Sequence, residues 1–316
     1  MAIAFTFPGQ GSQQVGMGAD IANAHASARA VFDEVDEALG QDLSRIIREG
    51  PEDTLTLTEN AQPALMAVSV AIMRVLEQEK GVSLKGAAKY VAGHSLGEYS
   101  ALAAAGALSL TDTARLLKIR GQSMQAAVPV GEGAMAALLG LDLPDAQKLA
   151  EAAAQGDVCE AANDNAPGQV VLSGAKAAIE RAVEMASEFG ARRAVLLPVS
   201  APFHCALMKP AADAMQEALA EIDIKAPAVP LVANVVAGEV TDPEEIRKRL
   251  VEQVTGAVRW REGVQFMAGN GVTTLYEVGA GRVLTGLARR IERSLEAVSV
   301  GTPEELDAAA EKLSAA

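Results

Sequence analysis

Between the apolar residues Tyr90-Val91-Ala92 and the alanine-rich segment 97–105 lies the run Gly93-His94-Ser95-Leu96-Gly97. Three fixed positions in five recur by chance, but a short strand before and a helix after make this run an elbow. Such an elbow exposes a serine hydroxyl at the edge of a sheet. The flanking glycines leave room where a Cβ would strike neighbouring elements. The helix that follows favours negative charge at its N-terminus. An ordinary N-capping serine is the bland alternative. The elbow therefore predicts an α/β fold and nominates Ser95 as the nucleophile of an acyl-handling enzyme.

The rest of the chain keeps that rhythm. Strands alternate with helices, which argues for a mostly parallel sheet. Ala2–Phe7 reads as a buried first strand, broken by Pro8-Gly9-Gln10-Gly11-Ser12. Helices are expected near 18–38 and 60–79, the second with Pro63 in its first turn, where the missing N–H costs little. Thr111 is the expected N-cap of a further helix. From 134 to 199 the order becomes β-α-β-β-α-β, with a turn over Asn163–Gly168, and this is the ferredoxin-like arrangement. Later strands fall near 231–235, 273–278 and 297–300. The reading is a large α/β-hydrolase-like domain (1–128 and 199–316) with a small ferredoxin-like domain (129–198) inserted.

Charge and composition remove several function classes. The 316 residues carry a net charge of −14 with a pI near 4.8, the opposite of a nucleic-acid footprint. No apolar stretch reaches the roughly 18 residues of a membrane helix, and the N-terminus lacks the basic and apolar regions of a secretory signal. Cys159 and Cys205 cannot form a disulfide framework, and no Cys/His spacing suggests a metal. A cytoplasmic protein is expected. Three basic clusters, Arg192-Arg193, Arg247-Lys248-Arg249 and Arg289-Arg290, read first as solvated faces.

Two glycine loops invite a nucleotide reading and fail on spacing. After Gly9-x-Gly11 the third dinucleotide glycine would fall at Gln14, and the P-loop spacing Gly11 to Gly16 is followed by Met17 instead of lysine. Gly279-x-Gly281 has Leu284 in the third place.

A serine hydroxyl needs a base, and the chain has three histidines. His25 lies in a polar helical stretch and reads as a surface residue. His94 adjoins Ser95, and neighbours on a turn usually point apart, so it reads as structural. His204 follows Pro202-Phe203, where the inserted segment returns to the larger domain, and an irregular crossover there can deliver a side chain to the mouth of the sheet. His204 is the candidate base by elimination.

Taken together, Phe7-Pro8-Gly9-Gln10-Gly11-Ser12-Gln13, Gly93-His94-Ser95-Leu96-Gly97-Glu98-Tyr99, Arg120-Gly121, Pro167-Gly168-Gln169 and Phe203-His204-Cys205-Ala206-Leu207-Met208 resemble, in order and over essentially the whole chain, the malonyl-CoA:acyl carrier protein transacylases. The resemblance implies that Ser95 takes malonyl from malonyl-CoA as an ester and passes it to the phosphopantetheine thiol of acyl carrier protein, for fatty-acid synthesis. It assigns His204 as base and later acid, the backbone N–H groups of Gln10 and Leu96 as oxyanion hole, and the main-chain carbonyl of Gln253 as the group that orients the histidine. It assigns Arg120, which alone would read as a solvated helix arginine, to the malonyl carboxylate. Phe203, where many members carry a small residue, would crowd an α-methyl branch. Ping-pong kinetics, no metal or prosthetic group and a monomer are implied as well.

Two rivals are set against this reading. A lipase- or thioesterase-like serine hydrolase shares the elbow but has the order Ser…Asp…His and no inserted unit. A non-catalytic carrier-protein docking module would be expected to have lost Ser95, His204 or Arg120.

Overall fold

The computed structural model describes residues 2–314. Ten strands occur among them: β1 (Ala2–Phe7), β2 (Ala88–Gly93), β3 (Gly133–Leu139), β4 (Cys159–Ala166), β5 (Gln169–Ala175), β6 (Arg193–Leu196), β7 (Leu231–Ala233), β8 (Gly238–Val240), β9 (Val272–Val278) and β10 (Glu296–Val300). Six form one sheet in the order β10-β9-β1-β2-β7-β8, parallel except for the short β8. The other four form a separate antiparallel sheet in the order β4-β5-β3-β6.

The central position of β1 follows from its sequence. Five of its six residues are buried, as expected of a strand covered on both faces of a parallel sheet. It pairs with β2 so that Phe7 lies opposite Gly93. That register puts the Pro8–Ser12 loop and the Ser95 elbow side by side at the carboxyl ends of adjacent strands, where open α/β sheets bind ligands.

Helices pack on the large sheet. The helix Thr58–Gln78 is buried along most of its length and lies beside Leu110–Ala126, which carries Arg120. Pro63 is not in the first turn of its helix as expected, since the helix begins at Thr58 and Pro63 lies one turn further in. Ser109, not Thr111, is the N-cap of the later helix, and its hydroxyl accepts from Asp112 N–H at 3.0 Å.

The small sheet has two different faces. Ala136, Leu138 and Leu172 pack with Leu149 and Ile179 of the two helices Leu143–Ala154 and Lys176–Met185, forming a core of their own. Met135 and Val171, on the opposite face, join the main core and line the cavity described below. The expected turn over 163–168 shrinks to Pro167-Gly168, because β4 runs on to Ala166. Its polar residues stay extended because they are bonded: Asp164 accepts from Arg261 Nε at 2.9 Å, and its own N–H donates to Val258 O at 3.0 Å. These contacts tie the small sheet to the helix Trp260–Gly269. Among the described residues, no helix is long and apolar enough to cross a membrane.

Candidate active site

Ser95 has φ 54°, a left-handed conformation that costs a residue with a side chain on the order of 1–3 kcal/mol. The surroundings hold it there. Ser95 N–H donates to Asn234 Oδ1 at 2.8 Å, Asn234 Nδ2 donates to Gly93 O at 2.7 Å, and His94 N–H donates to Phe7 O at 3.0 Å. The two glycines of the run are required by space. A Cβ on Gly93 would land on the backbone of Gly97, and one on Gly97 would land on the carbonyl oxygen of Phe7. The helix then begins at Gly97, so Ser95 stands just before its N-terminus.

His204 arrives from the crossover that follows β6 and is also left-handed, with φ 59°. Its Nε2 lies 2.7 Å from Ser95 Oγ and its Nδ1 lies 2.8 Å from Gln253 O. A carbonyl only accepts, so Nδ1 carries the proton and Nε2 presents its lone pair to the serine hydroxyl. Burial, reinforced by the positive charge of Arg120, lowers the His204 pKa to about 3. The imidazole is therefore neutral, as a general base must be.

Arg120 is 1% exposed. It donates from Nη2 to Ser95 Oγ at 3.1 Å and to Gln253 Oε1 at 2.7 Å, and from Nη1 to Gln62 Oε1 at 2.8 Å. All three partners are neutral. Behind them sits Glu98, fully buried, whose Oε2 accepts from Gln253 Nε2 at 2.8 Å and from Asn234 N–H at 3.1 Å. Desolvation outweighs these bonds and lifts its pKa to about 7. Burying an arginine without an adjacent anion is expensive, and such a site is suited to a ligand that brings the missing carboxylate.

A cavity of about 580 Å³ opens over Ser95 and His204. Gln10, Leu96, Arg120 and Phe203 line it. Among the described residues, the backbone N–H groups of Gln10 and Leu96 have no protein acceptor. Two free donors in the cavity of a serine hydroxyl are what a developing oxyanion would need. All seven residues singled out in the sequence (Gln10, Ser95, Leu96, Arg120, Phe203, His204 and Gln253) are brought to this one locality. Gln253 is fully buried and reaches the others from behind, through its carbonyl to His204 and through its amide Nε2 to Ser95 O at 3.0 Å.

The other histidines are settled by their contacts. His94 turns away from Ser95, with Nε2 at 2.8 Å from Asn165 Oδ1 and its ring 5.7 Å from that of Trp260. His25, expected at the surface of a helical stretch, is partly exposed and lies in extended conformation between the helices Ala19–Ala24 and Ala26–Leu39, where its Nδ1 meets Glu79 Oε2 at 2.6 Å. Among the described residues, no group of three or more His, Cys, Asp or Glu is placed to hold a metal ion. The glycine loop after β9 is filled from within. Glu277 accepts from Leu284 N–H at 3.0 Å and Thr285 N–H at 2.6 Å, so the chain's own carboxylate occupies the helix end a phosphate would use.

Sequence reasoning missed Gln62, Glu98 and Asn234. Glu98 had a signal, being the residue after the elbow glycine on a helix that the fold must bury. Gln62 and Asn234 had none, since nothing in their neighbourhoods distinguishes them from other polar residues.

Comparison with known proteins gives a consistent result. The family described as "Acyl transferase domain" matches residues 4–306. The malonyl CoA-acyl carrier protein transacylase of Escherichia coli (strain K12) is 49% identical over 308 residues, covering 98% of each chain. That of Bacillus subtilis (strain 168) is 45% identical, covering 98% of this chain and 97% of the other. The crystal structure of acyl-carrier-protein-S-malonyltransferase from Bartonella henselae superposes with a TM-score of 0.97 at 60% identity, over 99% of this chain and 100% of that one. A malonyl-transacylase in complex with a type II PKS acyl-carrier protein gives a TM-score of 0.95 at 46% identity, over 99% and 100%.

Proposed function

Because this chain belongs to the malonyl CoA-acyl carrier protein transacylases of the acyl transferase domain family, we propose that the malonyl group it moves from malonyl-CoA to acyl carrier protein rests in between as an ester on Ser95. The observation that carries this reading is the 2.7 Å approach of Ser95 Oγ to His204 Nε2. As Oγ attacks the thioester carbonyl, its proton passes to Nε2 and the carbonyl oxygen becomes an oxyanion facing the N–H groups of Gln10 and Leu96. Collapse breaks the C–S bond, and His204 returns the proton to the departing coenzyme thiolate. The carrier's phosphopantetheine thiol then repeats the sequence in reverse, giving up its proton to His204 as its sulfur attacks the ester. The carbonyl of Gln253 holds the imidazole in one tautomer throughout, so no carboxylate is needed behind it.

Arg120 selects the acyl group. It would bind the malonyl carboxylate through a planar guanidinium, which suits a carboxylate better than an ammonium does. Phe203 stands against the same cavity and would leave little room for an α-methyl branch.

The same proposal includes the finer architecture. The order β4-β5-β3-β6, with its two helices on one face, supports a ferredoxin-like unit (129–198) inserted into an α/β-hydrolase-like one (1–128 and 199–316). The chemistry asks for no metal or organic cofactor, and the protein is taken to be a cytoplasmic monomer. For the acidic carrier protein, the triplet Arg247-Lys248-Arg249 is a poor docking patch, because Glu244, Glu245 and Glu252 of its own helix already pair with it. Arg192 and Arg289 have no carboxylate partner among the described residues and are the better candidates for charge reversal.

The test is a mass measurement. The peptide containing Ser95 gains a malonyl group on exposure to malonyl-CoA alone and loses it when holo acyl carrier protein is added. Steady release of free malonate without an acceptor thiol would indicate the hydrolase alternative instead.

A further inference from the structure

The carboxylate of Glu98 does not line the cavity, yet one of its oxygens gathers the braces of the site. Glu98 Oε2 accepts from Gln253 Nε2 and from Asn234 N–H. Gln253 holds Ser95 O with the same Nε2 and Arg120 with its Oε1, while Asn234 holds Ser95 N–H. The other oxygen, Oε1, is buried with no partner at all. A residue kept only for packing would gain by being apolar, since a buried acceptor with no partner is costly. The acceptor at this position needs another reason.

Arg120 supplies it. In the free enzyme its guanidinium is seated by Ser95 Oγ, Gln62 and Gln253. Once Ser95 carries an acyl group, Oγ is an ester oxygen and a much poorer acceptor, so the seat depends on the two glutamines. Gln253 can hold its end only if its amide nitrogen is anchored on the far side, and of its two acceptors there, Ser95 O and Glu98 Oε2, only Glu98 lies outside the acylated residue. We propose that Glu98 is a positioning residue for acyl-group selection: it anchors the Gln253 amide with the oxygen toward Arg120 and so fixes the guanidinium that receives the malonyl carboxylate. The remaining titratable neighbours of Glu98 are Arg120 and Tyr99, the latter 5.7 Å from the Arg120 guanidinium carbon.

This inference rests on the proposed roles of Ser95 and Arg120, and the experiment separates the two. Acylation of Ser95 is followed with malonyl-CoA and with acetyl-CoA, and the ratio of the two kcat/KM values is compared among wild type, Glu98→Met, Glu98→Gln and Arg120→Ala. Glu98→Met removes the acceptor at similar length and should lower the malonyl-to-acetyl ratio by about tenfold to a hundredfold, the scale of one hydrogen bond to a charged group. Glu98→Gln keeps an acceptor oxygen and should restore most of the ratio. If Glu98→Met does not fold, Glu98→Asp, which withdraws the oxygens by one methylene, is read in the same way. Equal losses on both thioesters would mean that Glu98 is structural only and overturn the proposal. A collapsed ratio in Arg120→Ala with an unchanged one in the Glu98 variants overturns the role of Glu98 alone. An unchanged ratio in Arg120→Ala overturns the reading of Arg120 on which it rests.

Discussion

Ser95 and His204, 109 positions apart in sequence, meet at 2.7 Å, and both hold a left-handed backbone conformation, with φ 54° and φ 59°. Neither residue type adopts that conformation freely. The strain falls on the two residues whose side chains meet and is offset by hydrogen bonds from their neighbours, chiefly Asn234 and Gln253. The pair is thus set in place before substrate arrives, and little reorganisation is left for the reaction itself.

His204 should leave a signature in the pH dependence of stability. Its folded pKa of about 3 lies below the ordinary 6.5, so the unfolded chain binds a proton that the folded one refuses. Stability from this residue is complete above 6.5 and is lost as pH falls toward 3. Glu98 acts in the opposite sense, because its folded pKa of about 7 exceeds 4.5, and its contribution is lost as pH rises through that window. Urea midpoints of wild type and His204→Ala isolate the first effect. Between pH 6.5 and pH 5 the difference in unfolding free energy should shift in favour of the variant by on the order of 1–2 kcal/mol. A constant difference would contradict a buried, neutral imidazole.

Arg120→Ala should lower kcat/KM for malonyl-CoA on the order of a hundredfold or more while costing acetyl transfer far less. Arg120→Lys should recover only part of the loss, since a point charge cannot take both carboxylate oxygens at once. Steady-state kinetics on the two thioesters decide the matter, and equal losses on both would remove the carboxylate role.

Gly97→Ala tests the elbow without touching a reacting group. The added Cβ would fall on the Phe7 carbonyl, which is backbone and cannot swing aside. Overpacking typically costs about 1–3 kcal/mol, and the loss here should be at the top of that range, together with a slower acylation burst. A variant with wild-type melting temperature and burst would show that the crowding is relieved by a shift of the strand.

Phe203 is 8% exposed and lines the cavity. The wild type should prefer malonyl-CoA over methylmalonyl-CoA, and Phe203→Ser should narrow that preference by about tenfold, the lower end of what one methyl group is worth in a pocket. Similar wild-type rates on the two thioesters would refute the steric role.

Much of this protein is local in origin. The elbow, the alternation of strand and helix and the four-stranded unit were legible because periodicity, glycine placement and capping act over a few residues. At residues 163–166 tertiary bonds override local preference, whereas Pro63 and Ser109 differ only in where a helix begins, and the Ser109 cap on Asp112 N–H is itself local. Asp164 stays in a strand because Arg261 and Val258 hold it there, and no short-range signal records that.

The site divides in the same way. Sequence by itself determined that a serine would be raised on a strained turn, and left His204 as the base only by elimination among three histidines. The tertiary structure decided what those residues would feel. Parallel pairing of β1 with β2 brought the Gln10 loop to Ser95, and burial turned an ordinary helix arginine into a guanidinium held by neutral partners. Folding also gathered Gln62, Asn234, Gln253 and Glu98 behind the elbow. Desolvation is a property of the whole packed chain, so neither the lowered pKa of His204 nor the isolation of Arg120 could be read from any segment of it.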